Sequence, residues 1–120
     1  MNNLSRVEVM LDIFSGRPNP RWTLSDEQVN DLQARLRTLP EATPAVPPGL
    51  GYRGFIVTNP GNDPRLPSRM GVFASVVTIT NAQATSYYQD ANNVEGWLID
   101  QARERGYGDI IDRFRGTNIQ

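Results

Sequence analysis

The run Ser-Gly-Arg-Pro-Asn-Pro-Arg-Trp at residues 15–22 holds the densest set of ligand-gripping groups in this 120-residue chain. Arg17 and Arg21 supply two cations, Asn19 an amide and Trp22 an aromatic plate. An arginine fork can hold a carboxylate or phosphate through two parallel hydrogen bonds. The run also follows an alternating apolar segment, and open sheets often place ligands in the loop after a strand. Arg17, Asn19, Arg21 and Trp22 are therefore the ligand-binding candidates. Against them stands Ser25-Asp26-Glu27 just downstream, whose carboxylates repel an anion at the helix start. A plainer account has Pro18 and Pro20 stiffening a connection while Trp22 covers the edge of the core.

Acid–base chemistry would fall to Glu8 and Asp12. They share one face of a strand, roughly 13 Å apart along it, which is too wide for a carboxylate pair. An enzyme would use Asp12, with Glu8 as the other carboxylate and Arg17 as electrostatic clamp. It would also need a third group from a neighbouring strand. The simpler expectation is a solvated face, or ion pairs with arginines such as Arg53.

Gly49-Leu50-Gly51-Tyr52-Arg53-Gly54 fits the G-x-G-x-x-G pattern. A dinucleotide site needs a strand before that pattern and a helix after it. Here a proline-rich stretch precedes it and an apolar strand follows, so the glycines serve a backbone turn. Asn62-Asp63 and Asp90-x-Asn92-x-x-Glu95 are oxygen-rich, but neither has EF-hand spacing, and Asp90 or Asn93 suits a helix cap. Tyr87, Tyr88 and Trp97 could stack on sugars or bases, yet no basic patch surrounds them.

The totals narrow the chemistry further. There is no cysteine and no histidine, which removes thiol nucleophiles, disulfides, zinc sites and histidine catalysis. All 12 basic residues are arginines, so Schiff-base chemistry is absent too; a GC-rich genome alone gives such a bias. No metal and no cofactor are expected. The net charge of −1 offers nucleic acid no field. The first residues lack a charged, then apolar, leader, and no apolar run reaches bilayer length. A cytoplasmic domain that meets no membrane is the expectation.

The elements that must position these groups follow from periodicity. Residues 7–14 alternate as a half-buried strand, with Val7, Val9, Leu11 and Ile13 on one face. A helix is expected over 26–39, with Ser25 and Gln28 as a capping box and Val29, Leu32, Leu36 and Leu39 as its stripe. Strands are expected at 52–59 and 71–80, with a fourth at 85–89. A second helix around 94–105 ends at Gly106 with Tyr107 folded back, and a short helical stretch covers 109–115. The order β-α-β-β-(β)-α over residues 1–120 implies a single α+β domain. It would be a two-layer sandwich of a mixed three- to four-stranded sheet, the first two strands parallel, with two helices on one face.

This side-chain kit favours a non-catalytic binding or interaction module for a partner protein or small polar ligand. The arginine- and proline-rich loops or the open sheet face would do the binding. The alternatives are the histidine-free enzyme at Asp12 and a self-assembling subunit. Met10 and Phe14, with apolar residues in both registers of later strands, put apolar surface on the open face, so a homodimer through that face is expected unless the loops at 40–51 and 60–69 cover it.

Overall fold

The computed structural model describes residues 6–14, 16–46, 51–82 and 84–119, the last four as helical backbone alone. In chain order the elements are β1 (Glu8–Leu11), β2 (Arg21–Thr23), α1 (Asp26–Arg35), β3 (Phe55–Thr58), β4 (Arg69–Phe73), β5 (Val76–Asn81), β6 (Ala84–Gln89), α2 (Val94–Glu104) and α3 (Gly108–Ile119). The strands form one six-stranded sheet in the order β2-β1-β3-β4-β5-β6. Every pairing is antiparallel.

The α+β class is the one the sequence implies, but the sheet and helix counts are larger and the sheet is not mixed. Three local events account for the difference. First, Arg21–Thr23 is a strand of three residues, too short to alternate legibly, and it pairs back on β1. That hairpin reverses the chain before α1. The helical crossover therefore joins β2 to β3, which run parallel with β1 between them, so β1 and β3 are antiparallel. Second, the stretch 71–80 is not one strand. It breaks at Ala74 and Ser75, whose φ angles of 53° and 68° are the positive pair that a type I′ turn demands. Neither residue is a glycine or asparagine. The turn is held from outside: Ser75 accepts the Asp90 N–H at 2.8 Å and donates its own N–H to Glu95 Oε1 at 3.4 Å. Third, the stretch at 109–115 extends to a third helix, Gly108–Ile119.

The helix ends follow local chemistry. Ser25 Oγ accepts the Gln28 N–H at 3.1 Å, and Gln28 Oε1 accepts the Ser25 N–H at 2.8 Å, closing the capping box. α1 ends at Arg35, short of residue 39. At the end of α2, Gly106 takes φ 91°; its N–H reaches Arg103 O at 3.1 Å and the Tyr107 N–H reaches Ala102 O at 2.9 Å, a Schellman cap.

The core lies on one side of the sheet. Val9, Leu11, Phe55, Val57, Met70, Val72 and Val77 meet Val29 and Leu32 of α1, Val94, Leu98 and Ala102 of α2, and Ile111 of α3. The loops divide between the two sides. The turn around Asn59, through Arg65 bridging Asp63 and Asp26, packs by α1. The segment after α1 instead follows the β6 edge, where Pro40 O accepts from Gln89 N at 2.7 Å and Ala42 N donates to Tyr87 O at 3.0 Å. It then turns onto the open face, where Ala45 lies over the central strands.

Candidate functional site

Cross-strand partners set out the open face in rows. One row reads Thr23, Glu8, Thr58, Arg69, Thr80 and Thr85; the next reads Arg21, Met10, Ile56, Gly71, Thr78 and Tyr87. Beyond them Phe73 faces Val76, and Val76 faces Gln89. Gly71 leaves the middle row without a side chain between Ile56 and Thr78. A hollow of about 220 Å³ opens there, lined among others by Arg53, Arg69, Phe73, Val76 and Thr80, with Ala45 at its rim.

The two glycines beside this hollow differ in kind. Gly54 has φ +90°, and a Cβ on it would collide with the Val72 carbonyl, so its backbone requires glycine. Gly71 has no left-handed φ, and a Cβ on it would meet nothing nearer than the Phe55 carbonyl at 3.9 Å. Nothing within the described fold demands glycine at 71.

Gly54 also forms a β-bulge. Asp12 donates its N–H to Gly54 O at 2.9 Å but accepts from the N–H of Arg53 at 2.8 Å, so two residues oppose one. The bulge turns Arg53 toward the open face. Its Nη2 lies 2.8 Å and its Nε 3.2 Å from Asp12 Oδ1, and Nη2 also donates to Phe14 O at 3.2 Å. The bond to Asp12 drives the Arg53 pKa above its already high ordinary value. At the opposite corner Arg69 is exposed and makes no ion pair among the described residues.

The sequence candidates in the 15–22 run do not converge. Trp22 points to the helix side, 7 % exposed, stacked on Tyr107 and donating its indole N–H to Gln101 Oε1 at 2.8 Å. Arg21 bonds Glu8 at 2.9 Å on the open side. Asn19 Oδ1 accepts the N–H groups of Ile13 and Phe14 at 3.0 and 2.7 Å, while its Nδ2 sits 3.4 Å from Asp12 Oδ1. Arg17 lies 3.9 Å above the Phe14 ring. Glu8 and Asp12 are thus each paired with an arginine, and Ser15 lies outside the described residues.

The remaining motifs have structural roles. Gly49 and Leu50 lie outside the described residues, while Gly51 and Gly54, at φ 86° and 90°, lead into β3 and not into a helix. Asp63 is clamped by Arg65, which holds its carboxyl below the usual range. Asn93 is the N-cap of α2, its Oδ1 accepting from Gly96 N at 3.2 Å, and Asp90 adds to it by accepting from Val94 N at 2.6 Å and Glu95 N at 2.8 Å. Tyr52, buried, donates to Glu95 Oε2 at 2.5 Å; burial first, then the Glu95 charge, pushes its pKa far up. Trp97 stacks under Arg35, and Tyr88 packs against the core. Among the described residues no three acidic groups come together to hold a metal, and no helix is long and apolar enough to cross a membrane.

The residues that sequence reasoning missed are Gly71, Arg69, Thr78 and Thr80. The one available signal was a glycine inside a β-branched run. Comparisons with protein families, with curated proteins and with solved structures find no match for this chain.

Proposed function

We propose that this domain is a non-catalytic, cytoplasmic binding module for a small polar ligand, which sits on the open sheet face over Gly71. The observation that supports this is Gly71 itself. A glycine inside a strand costs about 0.5–1 kcal/mol and often marks close approach of a ligand or another backbone. Here no turn, left-handed angle or close neighbour requires it. A hollow of about 220 Å³ falls below the roughly 300–1,000 Å³ of drug-sized sites, which argues for a small ligand. Asp12, the carboxylate paired with Arg53 at the hollow, is also held by Asn19, and no base or nucleophile among the described residues is bonded to it, so this geometry lends catalysis no support.

The bare apolar patch behind the expected homodimer is much reduced. Among the described residues Val46 is the only large hydrophobic that is exposed, at 88 %, and Met10, Ile56 and Phe73 are half-buried. Val46, next to Ala45 at the rim, favours a second reading in which a protein partner covers the same face.

The test is a fragment screen by amide chemical shifts on wild-type protein and on Gly71→Val. Hits should gather at 69–71 and 78–80 and vanish in Gly71→Val, while that variant melts higher than wild type. Hits that gather at 17–22, or that survive Gly71→Val, would sink the proposal.

A further inference from the structure

We infer that the ligand of this hollow is a small organic carboxylate, its oxyanion on Arg69 and its apolar body over Gly71; this rests on the function proposed above. The first argument is charge. Two guanidinium groups line the hollow, and they are not equivalent. Arg53 is already neutralised by Asp12 at 2.8 Å. Arg69 has no ion pair among the described residues. The nearest acid in its row is Glu8, two strands away and so about 10 Å off, and Glu8 is bound to Arg21. One end of the hollow therefore carries an uncompensated positive charge.

The second argument is the company Arg69 keeps. Its direct cross-strand partners are Thr58 on one side and Thr80 on the other. Thr80 and Thr78 both line the hollow. Thr78 adds a hydroxyl donor for an oxyanion beside the guanidinium fork, and Thr80 adds a second when Thr85 is the donor in their 3.3 Å hydroxyl pair. A single uncommitted fork matches the planar, two-oxygen face of a carboxylate. A phosphate near two charges would call for a second free cation, which Arg53 does not supply.

The third argument is shape. From Arg69 to Gly71 is two residues along β4, about 6.5 Å. The ligand thus passes from a polar end to a floor of bare backbone walled by Ile56, Phe73 and Val76. A short spacer between carboxylate and a flat apolar group fits that order.

The experiment compares 3-phenylpropanoate, its neutral amide and inorganic phosphate by amide chemical shifts on the whole chain. Wild type should bind the carboxylate at least about tenfold more tightly than the amide, the usual margin of a charge-assisted hydrogen bond. Arg69→Gln should erase that margin and leave amide binding unchanged; Arg69→Lys, which keeps charge without the fork, should fall between. Arg69 is exposed, so neither variant threatens the fold. Equal binding of carboxylate and amide overturns the carboxylate assignment and leaves the Gly71 site standing. Phosphate that shifts the same amides as strongly as the carboxylate overturns the apolar-body part. Absence of any shift near Gly71 with all three probes overturns both this inference and the proposed function.

Discussion

Replacing Asn19 with alanine should unfold the domain at a markedly lower temperature. The Asn19 Oδ1 accepts the N–H groups of Ile13 and Phe14 at 3.0 and 2.7 Å. Two donors on one side fix which end of the amide is oxygen. Ile13 is 2 % exposed, so its freed N–H has no water to turn to. Phe14 is half-buried, and its N–H recovers part of the loss. An orphaned buried donor costs about 1–3 kcal/mol and a replaced one about 0.5–1.5, which gives a sum of about 1.5–4.5 kcal/mol. An unfolding entropy of about 2.1 cal/mol/K per residue over this chain makes 1 kcal/mol worth about 4 °C, so Asn19→Ala should melt about 6–18 °C low. Arg17→Ala removes only an exposed cation–π contact, about 0.5–1 kcal/mol, and should shift melting by about 2–4 °C. Asn19→Asp keeps the acceptor but sets a carboxylate against Asp12, so it should be weakened at neutral pH and recover in acid. Calorimetric melts of the three variants decide. If Asn19→Ala melts within about 2 °C of wild type, the hairpin is held elsewhere and Asn19 returns to the ligand candidates.

Three further outcomes are expected. Ala74→Asn combined with Ser75→Gly should relieve two left-handed residues and raise stability by about 1–2 kcal/mol; a lower melting temperature would show that the native side chains matter more than the angles. Tyr52 binds its proton more tightly folded than unfolded, so its contribution is complete below its ordinary pKa near 10 and is lost as pH rises beyond it. Tyr52→Phe should therefore flatten the alkaline fall in stability, and an unchanged slope above pH 10 would refute that assignment. Light scattering should return the mass of one chain, because the open face is half-covered; twice that mass would restore the homodimer.

What was legible in the sequence was what neighbours in the chain decide. Ser25 and Gln28 stand three apart, and Gly106 follows the last turn of α2, so both caps could be read directly. The alternation of 7–14 likewise assigned Val9 and Leu11 to the core. What failed to show depends on partners distant in sequence. The turn at Ala74 and Ser75 lacks the glycine or asparagine that would mark it, and Asp90 and Glu95, distant in sequence, hold it. The candidate loop displayed its residue types but not their directions: Asn19 faces its own backbone, and Trp22 faces the helices. Gly71 was visible as a glycine, yet its meaning comes from Ile56 and Thr78, supplied by two other strands.

The path between β2 and β3 has a consequence for the order of assembly. The chain passes along α1 on one side of the sheet, runs beside the β6 edge at Pro40–Ala42, and places Ala45 in the lining of the hollow on the other side. Leu11 then pairs with Phe55, closing a span of 44 residues (55 − 11), whereas β3 to β6 pair each with its neighbour in sequence. Loop closure taxes the long span far more than the short turns. The β3–β6 meander should therefore be the nucleus, with the β1–β2 hairpin joining it late. Substitutions in Val72 and Val77 should slow folding, and those in Val9 should chiefly hasten unfolding.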